Sequence, residues 1–467
     1  MSPPRLVLAG LCGGSGKTIV SLGLTRAFLQ DSKSVAAFKK GPDYIDAAWL
    51  GLAARRPAHN LDPFLMSPED LLQLFREKAQ GSDLAFIEGN RGLFDGGDVT
   101  GTCSTSQLAR QLQAPVILVL DATKMTRTAA AIIQGCANFE PGLNLAGIIL
   151  NRTAGERHRR ILRQSIEHYT DVPVLGALPK LGENPIPERH MGLISNREYS
   201  GQEAILDGLA AFVRQGCDLA AIWSLGGSAP DLPGSERRIW PSPDFVGPAP
   251  RIGYVLDAAL WFYYQENLEA LRRAGAELVP LSLLAGEPWP QLHGLYLGGG
   301  FPETQAQALG ANQTTRDLVR DLSRQGLPIY AECGGFMYLC EELIVEGVTY
   351  PMAGVFPLAT TLCARPQGLG YAEARVTAEN PFHPVGANIK GHEFHYSRCL
   401  AQGRYTGHGL PPVFSLQMTR GAGMIAGQDG ITVANTFAAY THIHALGTPH
   451  WAPNFVRAAA NWRDKTR

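Results

Sequence analysis

At 467 residues the chain is too long for one ordinary hydrophobic core and long enough for two. Hydrophobic residues make up 45% and charged residues 18%, a globular balance, and the formal net charge of -1 gives no pull toward nucleic acid or an anionic membrane. The opening MSPPRLVLAG holds only a short apolar run ending in glycine, which reads as a strand and loop, not a signal peptide. No stretch reaches the roughly 18 apolar residues of a membrane span.

The first half alternates apolar runs at 6–9, 35–38, 84–87, 116–120, 146–150 and 172–178 with helix-like stretches. Several runs are Val-, Ile- and Leu-rich on both faces, as buried parallel strands are. This predicts an α/β domain with helices on both sides of a sheet.

The first run leads into Gly-Leu-Cys-Gly-Gly-Ser-Gly-Lys-Thr at 10–18, and the helical pattern SLGLTRAFL follows. Glycines let backbone N–H groups wrap a phosphate chain, and a helix N-terminus adds positive potential. Gly10, Gly13 and Gly16 would shape the loop, Lys17 would reach the terminal phosphates, and Thr18 would put its hydroxyl on Mg2+. Gly10 stands six residues before Gly16, one more than the usual Walker spacing, and this longer loop resembles the dethiobiotin synthetase branch of P-loop proteins.

Four carboxylates are expected at strand ends: Asp43 and Asp46 in KKGPDYID, Glu88 closing a strand, and Asp95 in GNRGLFDGGD. At the C-terminal ends of parallel strands they share one edge of the sheet with the phosphate loop. Such groups are suited to Mg2+. For each alone, an Asp capping a turn is an equally good account.

Around residues 225–250 the chain becomes dense in Gly, Pro and Ser without periodicity, a linker composition. The alternation then restarts with runs at 252–256, 278–281, 295–297 and 329–331. The last enters Cys333 followed by two glycines, the form of a nucleophile elbow, and a helix N-terminus there would lower the thiol pKa. Upstream, Gly298, Gly299 and Gly300 could offer N–H groups to an oxyanion, and downstream His442 could serve the thiol as base, with His444 nearby. The eight cysteines form no C-x-x-C pair, so zinc and redox readings are weak, and reduced thiols in the cytoplasm are expected. His392, Glu393 and His395 in GHEFHYS have metal-like spacing on a strand-like segment, a weak metal signal.

Together these residues resemble the cobyrinate a,c-diamide synthase family. The matching segments are GLCGGSGKT, FKKGPDYID, NLDPF, EGNRGLFDG, ILNRTAGERHRR, GALPK, IPERHMGL, YLGGGFPE, AECGGFMYL, GHEFHYS and YTHIH, spread over nearly the whole chain. The resemblance implies two doubly wound α/β domains: a dethiobiotin-synthetase-like ATP-binding amidoligase at 1–225, a linker at 226–249, and a class I glutamine amidotransferase-like domain at 250–467. It implies ATP and Mg2+ as cofactors, L-glutamine as ammonia donor, a tetrapyrrole polycarboxylate as substrate, and no nucleic acid or membrane partner. Oligomeric state stays open, with a homodimer as one option. The a and c acetates would be activated as acyl phosphates and amidated by ammonia passed between the domains.

Carried over residue by residue, Cys333 is the nucleophile and His442 its base. Asp95 lies near the acyl phosphate. Asn151 contacts the nucleotide base. Asp43, Asp46 and Glu88 hold Mg2+ or orient the substrate carboxylate. Glu188, Arg189 and His190 mark the active-site edge. Two departures stand out. Many triad amidotransferases carry His-x-Glu, but here the third position is His444, which implies a Cys–His dyad. The loop after Glu88 carries Asn90 and Arg91 in place of expected apolar residues, and this version resembles the sirohaem-amidating branch, where sirohydrochlorin or sirohaem is the substrate. Two rival functions remain: a cobyric acid synthase-like enzyme amidating other side chains, and a P-loop ATPase switch with a non-catalytic amidotransferase-like domain.

Overall fold

The six apolar runs of the first half all fall in or overlap strands of one sheet, and a short seventh strand completes it. The computed structural model describes residues 2–182, 185–186, 188–189, 192–193, 201–234, 237–401 and 412–466. The chain divides into two units, Met1–Arg238 and Ile239–Arg467.

In chain order the first unit contains β1 (Arg5–Gly10), α1 (Lys17–Gln30), β2 (Val35–Lys40), α2 (Tyr44–Ala54), β3 (His59–Leu61), α3 (Pro68–Ala79), β4 (Leu84–Gly92), α4 (Thr105–Gln111) and β5 (Val116–Asp121). Then come α5 (Thr128–Phe139), β6 (Leu145–Thr153), α6 (Glu156–Tyr169), β7 (Val174–Pro179), the two-residue strands β8 (Glu188–Arg189) and β9 (Gly192–Leu193), α7 (Gln202–Gly216) and α8 (Leu219–Gly227). The main sheet runs β3-β2-β4-β1-β5-β6-β7, and every pairing in it is parallel. β3 is the unforeseen strand: His-Asn-Leu is too short and too polar to read as an apolar run. Capping side chains set several helix starts. Asp43 caps α2, Ser67 caps α3 ahead of Pro68, and Ser104 caps α4.

α1 is held between the sheet and α7. Leu6, Leu8, Val20, Leu24 and Phe86 share a buried cluster with Ala210 and Val213. Gly23 of α1 makes the approach close, since a Cβ there would stand 2.7 Å from the Leu209 carbonyl oxygen of α7.

The second unit contains β10 (Arg251–Val255), β11 (Leu260–Phe262), α9 (Gln265–Arg273), β12 (Glu277–Leu281), β13 (Gly294–Leu297), β14 (Gly299–Gly300), α10 (Ala306–Ala311), α11 (Gln313–Gln325), β15 (Ile329–Glu332) and α12 (Gly334–Leu339). It continues with β16 (Cys340–Val345), β17 (Val348–Pro351), β18 (Phe356–Leu362), β19 (Gly368–Val376), β20 (Asn388–His395), β21 (Ser397–Ala401), β22 (Val413–Arg420), β23 (Gln428–Val433), β24 (Thr436–Ala439), β25 (His442–Ile443) and α13 (Trp451–Lys465). Its ten-stranded sheet runs β12-β10-β13-β15-β24-β23-β22-β19-β20-β25. The stretch from β12 to β24 is parallel, as the apolar runs predict. The stretch from β24 to β25 is antiparallel. Its strands alternate buried and exposed positions, so they show no continuous apolar run.

Gly23→Ala sets two effects against each other. Helix propensity favours Ala by about 1 kcal/mol, while overpacking against backbone costs about 1–3 kcal/mol. A lower urea midpoint for this unit is expected, and a raised midpoint would contradict the close α1–α7 contact.

Candidate active site

β1 runs directly into the glycine-rich loop. Gly16 has φ 87°, and a Cβ there would stand 2.2 Å from Asn151 Nδ2, so only glycine fits. Asn151, near the end of β6, closes the loop from the far side: its Nδ2 donates to the Ser15 carbonyl at 2.9 Å, and its Oδ1 accepts from the Arg152 N–H at 2.9 Å. Gly13 is exposed at the loop tip, and Gly10 accepts the Leu93 N–H at 2.8 Å. α1 starts at Lys17 with no side-chain cap on Gly16, which leaves first-turn N–H groups for an anion.

Beneath the loop is a buried ionic cluster. Thr18 Oγ1 donates to Glu88 Oε1 at 2.8 Å and lies 3.4 Å from Asp46 Oδ2. Lys39 Nζ donates to Asp46 Oδ2 at 2.6 Å, Glu88 Oε1 at 2.8 Å and the Gly89 carbonyl at 3.3 Å. The Lys39 side chain is 0% exposed. Burial alone would lower its ammonium, but Asp46, then Glu88 and Asp43, hold it well above its ordinary value. Burial would likewise raise Asp46, and Lys39 holds it below the usual carboxylate range. Glu88 Oε2 is buried with no hydrogen-bond partner among the described residues. A hydroxyl and two carboxylates, one oxygen unpartnered, beside a phosphate loop is a donor set that fits Mg2+.

Asp43 belongs to the same cluster by charge and also serves as a helix cap. Its Oδ1 accepts the N–H groups of Ile45 at 3.0 Å and Asp46 at 2.9 Å, capping α2. Burial, then the charge of Asp46, pushes its carboxyl up to about 7. Lys39 carried no role in the sequence reading, because its partner Glu88 lies 49 residues away on another strand.

β4 does not stop at Glu88 but continues to Gly92. Its register against β1 passes from Leu8↔Glu88 to Gly10↔Gly92, so Asn90 and Arg91 occupy a bulge and not the free loop expected. The Asn90 N–H donates to Thr105 Oγ1, which donates back to the Asn90 carbonyl, both at 3.2 Å. Arg91 is exposed with φ 53°. Asp95 Oδ2 accepts the Gly92 N–H at 2.9 Å, closing a turn beside the phosphate loop. Glu188 and Arg189 pair with Leu193 and Gly192. The side chains of Glu188 and Arg189, and all of His190, lie outside the described residues.

In the second unit β15 ends at Glu332 and α12 begins at Gly334. Between them Cys333 adopts φ 47°, ψ -100°, a strained elbow, and its N–H donates to the Ala439 carbonyl at 2.7 Å. The expected lowering of the thiol pKa is not found: burial, then the charge of Glu303, pushes the Cys333 thiol well up. Of the three glycines upstream, Gly298 has its N–H donated to the Tyr263 hydroxyl at 2.8 Å. Gly299 and Gly300 pair with Phe262 and Leu260, and His442 packs directly over Gly299.

His442 is placed by a carboxylate that pins the turn before it. Asp429 accepts the N–H groups of Tyr440 and Thr441, both at 3.0 Å, and the Thr441 hydroxyl at 2.7 Å. The His442 Nδ1 then meets Glu332 Oε2 at 3.2 Å, with both side chains at most 2% exposed. The sequence pointed to a Cys–His dyad, so this carboxylate from the residue preceding the nucleophile is a new element. His444 does not touch it; its Nε2 lies 3.5 Å from Glu266 Oε2. His392 stacks on His442 at 4.9 Å and pairs through Nε2 with the Tyr264 hydroxyl at 2.8 Å. The carboxylate of Glu393 accepts the N–H groups of Ala422 and Gly423, and His395 Nδ1 pairs with the Ser397 carbonyl, so the GHEFHYS side chains bind structure around them.

Asp43→Ala should lower stability by about 1 kcal/mol through loss of the cap, whereas Asp43→Asn keeps it; thermal unfolding separates the two. Lys39→Met leaves Asp46 and Glu88 as uncompensated buried charges and should cost about 3–5 kcal/mol. Unchanged denaturant stability would contradict that ionic cluster.

A family model described as the CobQ/CobB/MinD/ParA nucleotide binding domain matches residues 6–193, and one described as the CobB/CobQ-like glutamine amidotransferase domain matches residues 251–450. The chain is 42% identical over 465 residues to the cobyrinate a,c-diamide synthase of Magnetococcus marinus, covering 99% of this chain and 98% of that one. It is 39% identical over 460 residues to the protein of that name from Syntrophotalea carbinolica, covering 98% of each. It is 38% identical over 469 residues to that from Dehalococcoides mccartyi, covering 99% of each. With likeness of this degree running through both units, the chain belongs to the cobyrinate a,c-diamide synthase family and is a glutamine-dependent amide-forming ligase.

Proposed function

We propose that the chain amidates the a and c acetate side chains of a cobyrinate-type tetrapyrrole, with ATP as activator and glutamine as nitrogen donor. The observation that carries this reading is the Thr18, Asp46 and Glu88 cluster under a phosphate loop, in a chain that also has a cysteine elbow. On this reading residues 1–225 activate the carboxylate, residues 250–467 release ammonia, and 226–249 connect them. The work is done in the cytoplasm.

A carboxylate resists ammonia until one of its oxygens becomes a good leaving group. The substrate carboxylate oxygen attacks the γ-phosphorus of ATP, ADP departs, and an acyl phosphate forms. Ammonia then attacks the acyl carbon and inorganic phosphate leaves. The loop amides of Gly10, Gly13 and Gly16, with Lys17, hold the phosphate chain, and Asn151 bounds the nucleotide. Thr18, Asp46 and Glu88 would hold Mg2+, which when bound neutralises phosphate charge. Asp43 keeps Asp46 in place by capping α2, and Asp95 holds the turn beside the acyl phosphate. In the glutaminase half Cys333 Sγ attacks the carboxamide carbon, His442 moves the proton, and the amides of Gly299 and Gly300 receive the oxyanion.

A second reading of the substrate rests on Asn90 and Arg91. An exposed guanidinium beside the phosphate loop forks onto carboxylates, which fits sirohydrochlorin or sirohaem. On the family resemblance, Glu188, Arg189 and His190 would contact the macrocycle.

Product mass spectrometry decides between the macrocycles. The protein is incubated with Mg-ATP, glutamine and, separately, cobyrinic acid, sirohydrochlorin and sirohaem. Cobyrinic acid should lose about one mass unit per amidated carboxylate. Turnover of sirohydrochlorin or sirohaem alone would favour the second reading. ATP and glutamine hydrolysis with no macrocycle changed would remove the tetrapyrrole assignment.

A further inference from the structure

A histidine base works only when the proton sits on the correct ring nitrogen. Where the family pattern of triad amidotransferases would place an acid, at residue 444, this chain has a histidine whose Nε2 faces Glu266. Yet the His442 ring is not left to choose its own tautomer. Its Nδ1 lies 3.2 Å from Glu332 Oε2, and Glu332 Oε1 lies 3.4 Å from the Ile443 N–H. We propose that Glu332 is the positioning residue of the glutaminase: its carboxylate accepts the Nδ1–H of His442 and leaves Nε2 as the base for Cys333. This rests on the reading of Cys333 and His442 as nucleophile and base.

Glu332 and Cys333 are neighbours in sequence, and the backbone parts their side chains. Along a regular strand successive side chains point to opposite faces. At Cys333 the pleat is broken by φ 47°, which turns the thiol away from the strand while Glu332 still follows β15. Glu332 pairs with Ala439 of β24, and the turn held by Asp429 brings His442 back to the Glu332 carboxylate. Burial and the charge of Glu303 hold Cys333 as a thiol, so a base is required at the moment of attack.

The groups facing His442 come from three places. β15 contributes Glu332, and Cys333 follows it in the elbow. β20 contributes the stacked His392, paired there with His442 in register, and the charges of Glu393 and His395 also reach His442. Tyr264 lies behind His392, and Glu266 behind His444. Burial, then the charges of His442 and His444, pushes His392 well below its ordinary value, so it stays neutral against the ring it covers.

The proton balance is closed. The Cys333 Sγ–H proton passes to His442 Nε2 as the S–C bond forms at the glutamine carboxamide carbon. The same proton then goes to the departing amino group as the C–N bond breaks and ammonia leaves. Water adds to the thioester carbon, its proton taken by Nε2 and returned to Sγ, and glutamate is released. Throughout, Nδ1–H stays on Glu332, which carries the compensating negative charge while the ring is cationic.

The test uses the full chain and glutamine-dependent product formation, with ammonium chloride as an alternative donor to report that the ATP half still works. Glu332→Gln should lower kcat for glutamine at least about 100-fold with KM little changed. Full glutamine-dependent activity in Glu332→Gln, or a fall carried by KM with kcat unchanged, would overturn the inference. Cys333→Ala checks the underlying reading: glutamine-dependent product from that variant would remove the glutaminase assignment itself. A measurement on the unmutated chain stands even if Glu332→Gln does not fold. In 15N-histidine NMR, the ring assigned by its loss in His442→Gln should show the Nδ1-protonated tautomer, and the Nε2-protonated tautomer would exclude the Glu332 role.

Discussion

A parallel strand that stops where a helix starts leaves unpaired backbone groups and one side chain aimed at a single edge of the sheet, and both units build on that edge. In the first, β1 ends in the phosphate loop, β2 leads to Asp43 and Asp46, and β4 carries Glu88. In the second, β13, β15 and β24 bring Gly299, Cys333 and, beyond a turn, His442. The glycines at both sites serve close approach. Gly16 admits Asn151, and Gly299 admits the imidazole of His442. The same topological rule therefore brings a glycine-rich loop to the edge of one sheet and the Cys333 elbow to the edge of the other.

The two sites handle buried charge differently. Lys39 lies among three carboxylates and is held charged by them, and the unpartnered oxygen of Glu88 leaves room for a further cation. This is a concentration of charge that phosphate chemistry uses. The cysteine site is quieter: Cys333 is pushed up, His392 is pushed down, and Glu332 meets the His442 ring.

Much of this was legible in the chain itself. Buried parallel strands announce themselves as continuous apolar runs, and a glycine-rich loop with Lys-Thr between a strand and a helix carries its own meaning. What the runs could not show was β3, with its polar triplet, or the antiparallel half of the second sheet, whose strands alternate. Asp43 and Asp46 share a strand end in KKGPDYID, and only the geometry shows that Asp43 caps α2 while Asp46 bonds Lys39. Lys39 and Glu332 were present in quoted segments without roles. Lys39 depends on a strand pairing, and Glu332 depends on a broken pleat at Cys333, neither of which one-dimensional spacing encodes. The Asn90 and Arg91 departure was visible as a sequence oddity, but its placement in a β-bulge was not.

The central claim is that ammonia made at Cys333 becomes the amide nitrogen of a carboxylate activated at the phosphate loop. It is tested most directly by giving the protein glutamine labelled with 15N in the side-chain amide, unlabelled ammonium, Mg-ATP and cobyrinic acid together. The product amides should carry 15N even with the free ammonium present. Product amides holding only unlabelled nitrogen would mean that the two chemistries are not coupled in this chain.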